Sequence, residues 1–326
     1  MPTGLLLGDE AIAQAALDAG IAGAFSYPGT PATEIFEYIA SQDGRSGAVS
    51  ALWSANEKVA LETAVGASLA GARTLVTMKH VGLNVAADPF MTLALTGVNA
   101  GLVIVSADDP GMHSSQNEQD SRAYAKFAKV PMLEPSDSQE AYDFLAEAFA
   151  LSEEFDTPVL LRTTTRLSHG RGRVVPRVPV DLEPRSYARD VDKYVMVPGN
   201  ARRRHPFIEE RVGKLAEFAE TFAYNQVDKG TADLGIVTNG VAYLYVKEVF
   251  PHASILKLGM TYPLPPKLIQ SFAEKVDRLI VVEELDPFIE EEIRLMGIPV
   301  EGKRIFPIVG ELSPNIVRDA ANQAGL

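Results

Sequence analysis

The chain of 326 residues contains no cysteine. Without thiols it forms no disulfide, has no cysteine nucleophile and cannot ligate an iron–sulfur cluster through cysteine. It also has no apolar run of membrane-spanning length, because its most apolar stretch, residues 100–107, is only as long as a strand. We therefore expect no membrane association, and any redox cluster must lie on a partner subunit or segment.

The chain also has fewer basic than acidic residues. The 30 Lys and Arg residues are outnumbered by 43 Asp and Glu residues, which gives a net charge of −13. Such a chain repels a phosphate backbone on average, so we expect no nucleic-acid partner. The N-terminus has no basic segment before Asp9, and no signal peptide is expected. The prediction is a cytoplasmic protein, although the absence of cysteine is compatible with any compartment.

Strand-like and helix-like segments alternate over the first 165 residues. Short runs rich in Ala, Val, Ile and Leu predict strands at 22–26, 49–53, 74–78, 102–107, 131–133 and 158–162. Apolar residues at helical spacing predict helices at 57–70 and 138–151. This order predicts an α/β fold in which helices cover both faces of a parallel sheet.

The composition changes after the first 165 residues. Prolines and arginines from 166 onwards predict a linker with one helix, at 206–225, reaching to residue 230. A second α/β domain is predicted over 231–326. Its strands are expected at 234–238, 254–258, 279–283 and 303–306, and its helices at 241–249, 266–274, 287–296 and 314–324.

Polar segments follow several predicted strands of the first domain. Ligands bind beyond the carboxyl ends of the strands of such a sheet. The turn SYPGTPATE holds Thr30 between two prolines, where a hydroxyl has no evident role in folding. Glu57 opens a helix behind Asn56, and helix capping explains it equally well. The alanines and glycines of that helix fit either an interface or a tightly packed interior.

Two further loops carry histidines and an arginine. His80 follows the strand at 74–78, and His113 lies in the polar loop after the strand at 102–107. Both are also explained as hydrogen-bonded surface residues. Arg122 at the end of that loop is either a ligand for a carboxylate or a helix-start residue paired with Asp120 or Glu118.

Together these segments resemble the 2-oxoacid:ferredoxin oxidoreductases. The matching stretches run through nearly the whole chain in order: GDEAIAQAALDAG, YPGTPATEI, ANEKVALETAVGASLAGAR, MKHVGLNVAADP, DDPGMHSSQNEQDSR, LKLGMTYPLP and VVEELDPFIEEEI. The resemblance implies a thiamine-diphosphate-binding pyrimidine domain followed by a transketolase C-terminal-like domain. It also implies coenzyme A-dependent oxidative decarboxylation of a 2-oxoacid, with an aryl pyruvate such as indolepyruvate favoured.

The resemblance also implies roles for single residues. Glu57 matches the carboxylate that activates the cofactor, and Thr30 matches the threonine that contacts the 2-oxoacid. The remaining matches are weaker ones: His80, Arg122 and His113 as substrate ligands, and Pro28, Gly29, Gly82 and Leu83 beside the cofactor. No metal ligand is predicted on this chain.

One departure from the family pattern limits what the chain does alone. Family members carry a GDG-type diphosphate-binding domain and a ferredoxin-like segment, whereas this sequence has a single Asp-Gly pair, at Asp43 and Gly44. We therefore expect a partner subunit or segment to provide Mg²⁺, the diphosphate-binding site and the iron–sulfur clusters, around a homodimeric core. Two alternatives stay open: a split non-oxidative 2-oxoacid decarboxylase, and a non-catalytic scaffold subunit.

Overall fold

A computed structural model describes residues 3–46, 49–187 and 189–326, without the side chains of residues 43–46. The strands are β1 (Gly4–Leu7), β2 (Gly23–Ser26), β3 (Ser50–Trp53), β4 (Thr74–Lys79), β5 (Leu102–Asp108), β6 (Met132–Leu133), β7 (Val159–Thr164), β8 (Arg171–Val174), β9 (Gln226–Asp228), β10 (Thr231–Asn239), β11 (Ala253–Leu258), β12 (Met260–Tyr262) and β13 (Leu279–Val282).

Helices separate most of these strands. They are α1 (Gly8–Asp18), α2 (Thr33–Ser46), α3 (Glu57–Leu69), α4 (His80–Val85), α5 (Ala87–Thr96), α6 (Arg122–Ala128), α7 (Ser138–Phe155), α8 (Thr165–His169), α9 (Val191–Tyr194), α10 (Pro198–Ala219), α11 (Ala242–Val249), α12 (Pro266–Ala273), α13 (Phe288–Leu295) and α14 (Pro314–Gln323). No helix in the described ranges has the length and apolar character that a bilayer crossing requires.

The main sheet has seven strands in the order β12-β6-β7-β5-β4-β2-β3. The six strands from β6 to β3 are parallel to their neighbours, whereas β12 pairs antiparallel with β6. Successive side chains of a strand point to opposite faces. Leu75 therefore packs in the core with α1, α2 and α7, while Val76 packs with α3, α4 and α5. The predicted parallel sheet with helices on both faces is present.

A second sheet lies in the C-terminal part of the chain. Its order is β13-β10-β11-β9, with β13, β10 and β11 parallel and β9 antiparallel. A two-stranded antiparallel sheet joins β1 to β8. The chain therefore contains the two α/β units that the sequence predicts, although β12 from the second region belongs to the sheet of the first.

Three predictions of local structure were wrong. Residues 303–305 form a turn and residue 306 a bend, while nearby Glu301 makes an isolated bridge to Ile280. The helix expected from Pro206 begins at Pro198, since proline is favoured at the first helical position, and it passes through Pro206. The predicted linker also contains α8, β8 and α9, elements of at most five residues that are too short to show periodicity. The domain boundaries at 165/166 and 230/231 stay a prediction.

Candidate active site

The strands β3, β2, β4, β5 and β7 are parallel neighbours, so their carboxyl ends lie at one edge of the main sheet. The segments that leave these ends begin with Tyr27, Ser54, His80, Asp109 and Thr165. Most residues singled out from the sequence lie in these segments or in the helices that follow them. This edge is the candidate active site.

Glu57 opens α3 at this edge. The side chain of Asn56 accepts a hydrogen bond from Val59 N at 3.0 Å, which fixes the start of the helix. Glu57 is only 8% exposed. In the described part of the chain its carboxylate has no hydrogen-bond or ion-pair partner. The glutamate is thus largely enclosed, and its carboxylate is available to a ligand that carries a hydrogen-bond donor.

A glycine makes room for this carboxylate. A Cβ on Gly82, in α4, would lie 2.6 Å from both Cγ and Oε1 of Glu57. No side chain fits between α4 and the carboxylate at that distance. Glu57 and Gly82, which the sequence placed beside a cofactor, are therefore in direct contact.

The turn that carries Thr30 packs against the end of β4. A Cβ on Gly29 would lie 3.1 Å from Cβ of Lys79, so the turn approaches the strand closely. Lys79 donates from Nζ to the carbonyl oxygen of Ser114 at 2.8 Å, and Ser114 Oγ donates to Thr30 O at 3.3 Å. Burial lowers the pKa of Lys79. Thr30 and Pro28 are exposed at this edge, with Thr30 held between the two loops.

Asp109 fastens the loop after β5. Its carboxylate accepts hydrogen bonds from Ser114 N at 2.8 Å, from Ser115 Oγ at 2.5 Å and from Thr165 Oγ1 at 2.7 Å. Burial opposes ionisation of Asp109, but these donors outweigh it and hold its pKa down at about 2. An ionised Asp109 thus ties the loop that contacts Thr30 to the end of β7.

A cleft of about 380 Å³ opens beside Thr30. It is lined by Thr30, His113, Ser114, Thr165, Arg166, His169, Gly170 and Glu311. Arg166 donates to Glu311 through Nε at 2.8 Å and Nη2 at 2.6 Å, and His113 Nε2 lies 3.5 Å from the same carboxylate. The cleft therefore combines hydroxyl groups with basic side chains, a lining suited to an anionic ligand.

Two predicted site residues, His80 and Leu83, are less accessible than their roles require. His80 is fully buried, and its Nε2 lies 3.0 Å from Oδ1 of Asn117. Leu83 is also fully buried and packs in the core with Leu61. Their roles beside a ligand stay predictions, and this burial favours structural roles instead.

Arg122 lies in a buried network between the two sheets. It pairs with Asp120 and with Glu283, both at 2.5 Å, and donates to Glu284 O at 2.7 Å. It is fully buried and its donors are engaged within the protein. A contact to a substrate stays a prediction that this geometry does not favour. The alternative, pairing with Asp120, is present.

Sequence reasoning missed several residues of this edge. Thr165, Arg166 and His169 directly follow β7, and their position at a strand end was the available signal. They were assigned to the boundary and the linker instead. Glu311 gave no signal, because it reaches the cleft from a loop 145 residues beyond Arg166.

Comparison with solved structures identifies the class of fold. The 2-oxoglutarate:ferredoxin oxidoreductase from Magnetococcus marinus superposes with a TM-score of 0.81 at 15% identity, over 98% of this chain and 65% of that chain. A split-gene transketolase superposes with a TM-score of 0.62 at 14% identity, over 98% of both chains. These similarities show the fold shared by thiamine-diphosphate enzymes and confirm the predicted fold class.

Sequence comparison identifies the family. Residues 14–214 match the family model described as pyruvate flavodoxin/ferredoxin oxidoreductase, thiamine diphosphate-binding, and the chain belongs to this family. Indolepyruvate oxidoreductase subunit IorA of Archaeoglobus fulgidus is 46% identical over 90% of this chain and 48% of its own length. The subunit of the same name from Methanothermobacter thermautotrophicus is 43% identical over 97% and 53%. The chain spans about half the length of these relatives.

Proposed function

We propose that this chain is the pyrimidine-side part of a thiamine-diphosphate-dependent 2-oxoacid:ferredoxin oxidoreductase. The substrate is an aryl 2-oxoacid such as indolepyruvate, and coenzyme A receives the acyl group. A partner subunit or segment supplies the diphosphate-binding domain with its Mg²⁺ and the iron–sulfur clusters, around a homodimeric core. The relatives named indolepyruvate oxidoreductase subunit support this proposal.

The observation that carries the proposal is the environment of Glu57. The residue is largely enclosed at the carboxyl edge of the sheet, and its carboxylate rests on Gly82 and has no partner among the described residues. A carboxylate that is positioned by Gly82 and has no donor within the described residues fits an aminopyrimidine ring as its hydrogen-bond partner. Bound thiamine diphosphate supplies the carbanion stabilisation needed to cleave the bond between a keto carbon and its carboxylate.

The residues of this chain contribute binding and proton placement. Glu57 holds a proton against N1′ of the aminopyrimidine ring. Thr30 presents its hydroxyl group to the 2-oxoacid, and Ser114 with Lys79 keeps the Thr30 turn in place. His113 lines the cleft by which substrate reaches Thr30.

The test is a Glu57→Gln variant of the assembled complex. The amide keeps the shape of the carboxyl group but cannot hold the same proton, so the rate of 2-oxoacid-dependent reduction of a viologen dye should fall about 10²- to 10⁴-fold. Glu62→Gln is the matched control, since Glu62 lies on the exposed face of the same helix, 3.8 Å from Lys58. The control should retain the wild-type rate.

Three outcomes would contradict the proposal. A Glu57→Gln complex that is fully loaded with thiamine diphosphate and as active as wild type would remove Glu57 from the chemistry. Release of an aldehyde without dye reduction by the wild-type complex would indicate the non-oxidative decarboxylase. A loaded wild-type complex that converts no 2-oxoacid at all would indicate the scaffold.

A further inference from the structure

Arg166, the arginine that lines the cleft, is exposed, whereas other cations at this edge are buried. The side chain of Arg166 is 57% exposed, whereas those of Arg122 and Arg162 are enclosed at 0% and 2%. Lys79 donates its hydrogen bond to the carbonyl oxygen of Ser114. Arg166 is therefore a cation that a ligand entering the cleft can reach.

The partner of Arg166 comes from the second α/β region. Glu311 lies in the loop before α14, and the side chain of Glu284 accepts a hydrogen bond from Leu312 N at 3.0 Å, which holds this loop. Gly111 lies beside this loop, since a Cβ there would be in ordinary van der Waals contact with Glu311 N at 3.4 Å. The carboxylate of Glu311 is only 15% exposed and receives two parallel hydrogen bonds from Arg166.

We propose that Arg166 is the anchor for the substrate carboxylate and that Glu311 occupies this position until the substrate enters. This inference rests on the proposed function. The planar guanidinium group of arginine matches the two oxygens of a carboxylate. Because one carboxylate replaces another at the guanidinium group, Arg166 keeps an anionic partner throughout the exchange. Thr30 lines the same cleft and can contact the remaining part of a 2-oxoacid.

The displaced Glu311 has a second hydrogen-bonding side chain within reach. His113 Nε2 lies 3.5 Å from its Oε2, and the side chain of His113 is 51% exposed. Glu311 can thus leave Arg166 without becoming an isolated buried charge, which would be costly. The exchange needs only side-chain movement, with the backbone still held at Leu312.

A phosphate group of coenzyme A shares the chemistry of a carboxylate as a ligand for arginine. We favour the carboxylate because the cleft also contains Thr30. The two sources are distinguished by measuring the KM for the 2-oxoacid at saturating coenzyme A and the KM for coenzyme A at saturating 2-oxoacid. Each is measured on the assembled complex.

The variants Glu311→Gln and Arg166→Gln test the exchange in opposite directions. Loss of the competing carboxylate in Glu311→Gln should lower the KM for the 2-oxoacid about two- to fivefold, the range expected for a solvent-accessible ion pair. Arg166→Gln should raise that KM about tenfold or more, and Arg166→Lys should be intermediate. This carboxylate leaves as CO₂, so its ion pair with Arg166 is weaker in the transition state than in the ground state, and kcat should not fall in parallel with the rise in KM.

The matched control is Glu301→Gln. Glu301 also receives two hydrogen bonds from one arginine, Arg278, at 3.1 and 2.8 Å, but it lies outside the cleft. Its KM values should equal those of wild type. If the Arg166→Gln variant does not fold, the KM of Glu311→Gln for the 2-oxoacid tests the inference by itself.

The results separate failure of this inference from failure of the proposed function. An active wild-type complex whose KM for the 2-oxoacid is unchanged in Glu311→Gln and Arg166→Gln overturns the inference alone. A change confined to the KM for coenzyme A overturns the carboxylate assignment in favour of phosphate. A fully loaded wild-type complex without activity on 2-oxoacids overturns the proposed function, and the inference with it.

Discussion

Adding a single methyl group at Gly82 should displace the carboxylate of Glu57. A Cβ at this position would lie 2.6 Å from Cγ and Oε1 of Glu57. Non-bonded carbon atoms rest about 3.5–4.0 Å apart, so the carboxylate must move by roughly 1 Å. Because the displaced atoms end a flexible side chain, the fold should tolerate the change. Misplacement of a reacting group by about 1 Å costs roughly 10²-fold in rate.

The expected result for Gly82→Ala is therefore a folded complex with about 1% of the wild-type rate. The assay is 2-oxoacid-dependent dye reduction by the assembled complex, accompanied by thermal unfolding and thiamine diphosphate content. Gly66→Ala is the matched control, because a Cβ at Gly66 in α3 meets no atom within 4 Å. That control should keep full activity and gain up to about 1 kcal/mol from helix propensity. A Gly82→Ala complex as fast as wild type would refute the link between this contact and the chemistry.

Two further predictions concern the charges between the sheets. Burial raises the pKa of Glu284 to about 7. Between about pH 4.5 and pH 7 the folded protein therefore keeps a proton that the unfolded chain has released. The free energy of unfolding should fall as the pH rises through this range. Glu284→Gln should lack this decline and be more stable than wild type by about 3 kcal/mol at pH 8, and urea unfolding curves with identical pH dependence would contradict the assignment. Arg122→Met should lower the free energy of unfolding by about 3–5 kcal/mol, because Asp120 and Glu283 lose their shared cation. Wild-type stability with a raised KM would instead support Arg122 as a substrate ligand.

Local patterns predicted the main sheet well. Apolar runs marked β4 and β5, and Asn56 marked the start of α3, because strand burial and helix capping depend on neighbouring residues. The strand expected at 303–306 failed for the opposite reason, since a few mixed residues carry too little periodicity. Glu57 and Gly82 were placed by family resemblance, and the contact between them became visible only in the structure.

Contacts between distant segments could not be read from the sequence. Arg166 meets Glu311 across 145 residues, and Arg122 meets Glu283 across 161 residues. Such pairs depend on how the two α/β regions pack together, which no local pattern encodes. The burial of Arg122 follows from the same packing.

Strand β12, which comes late in the sequence, covers one edge of the main sheet. The edge of β6 is covered by residues 260–262, which bond to it antiparallel, and Glu134 N donates to Gly259 O at 2.9 Å. A fragment that stopped before residue 259 would leave the backbone groups of β6 exposed to any other strand in solution, a common route to aggregation. Shortened versions of the protein made for biophysical work should therefore extend beyond Tyr262, whatever part of the cleft they are meant to isolate.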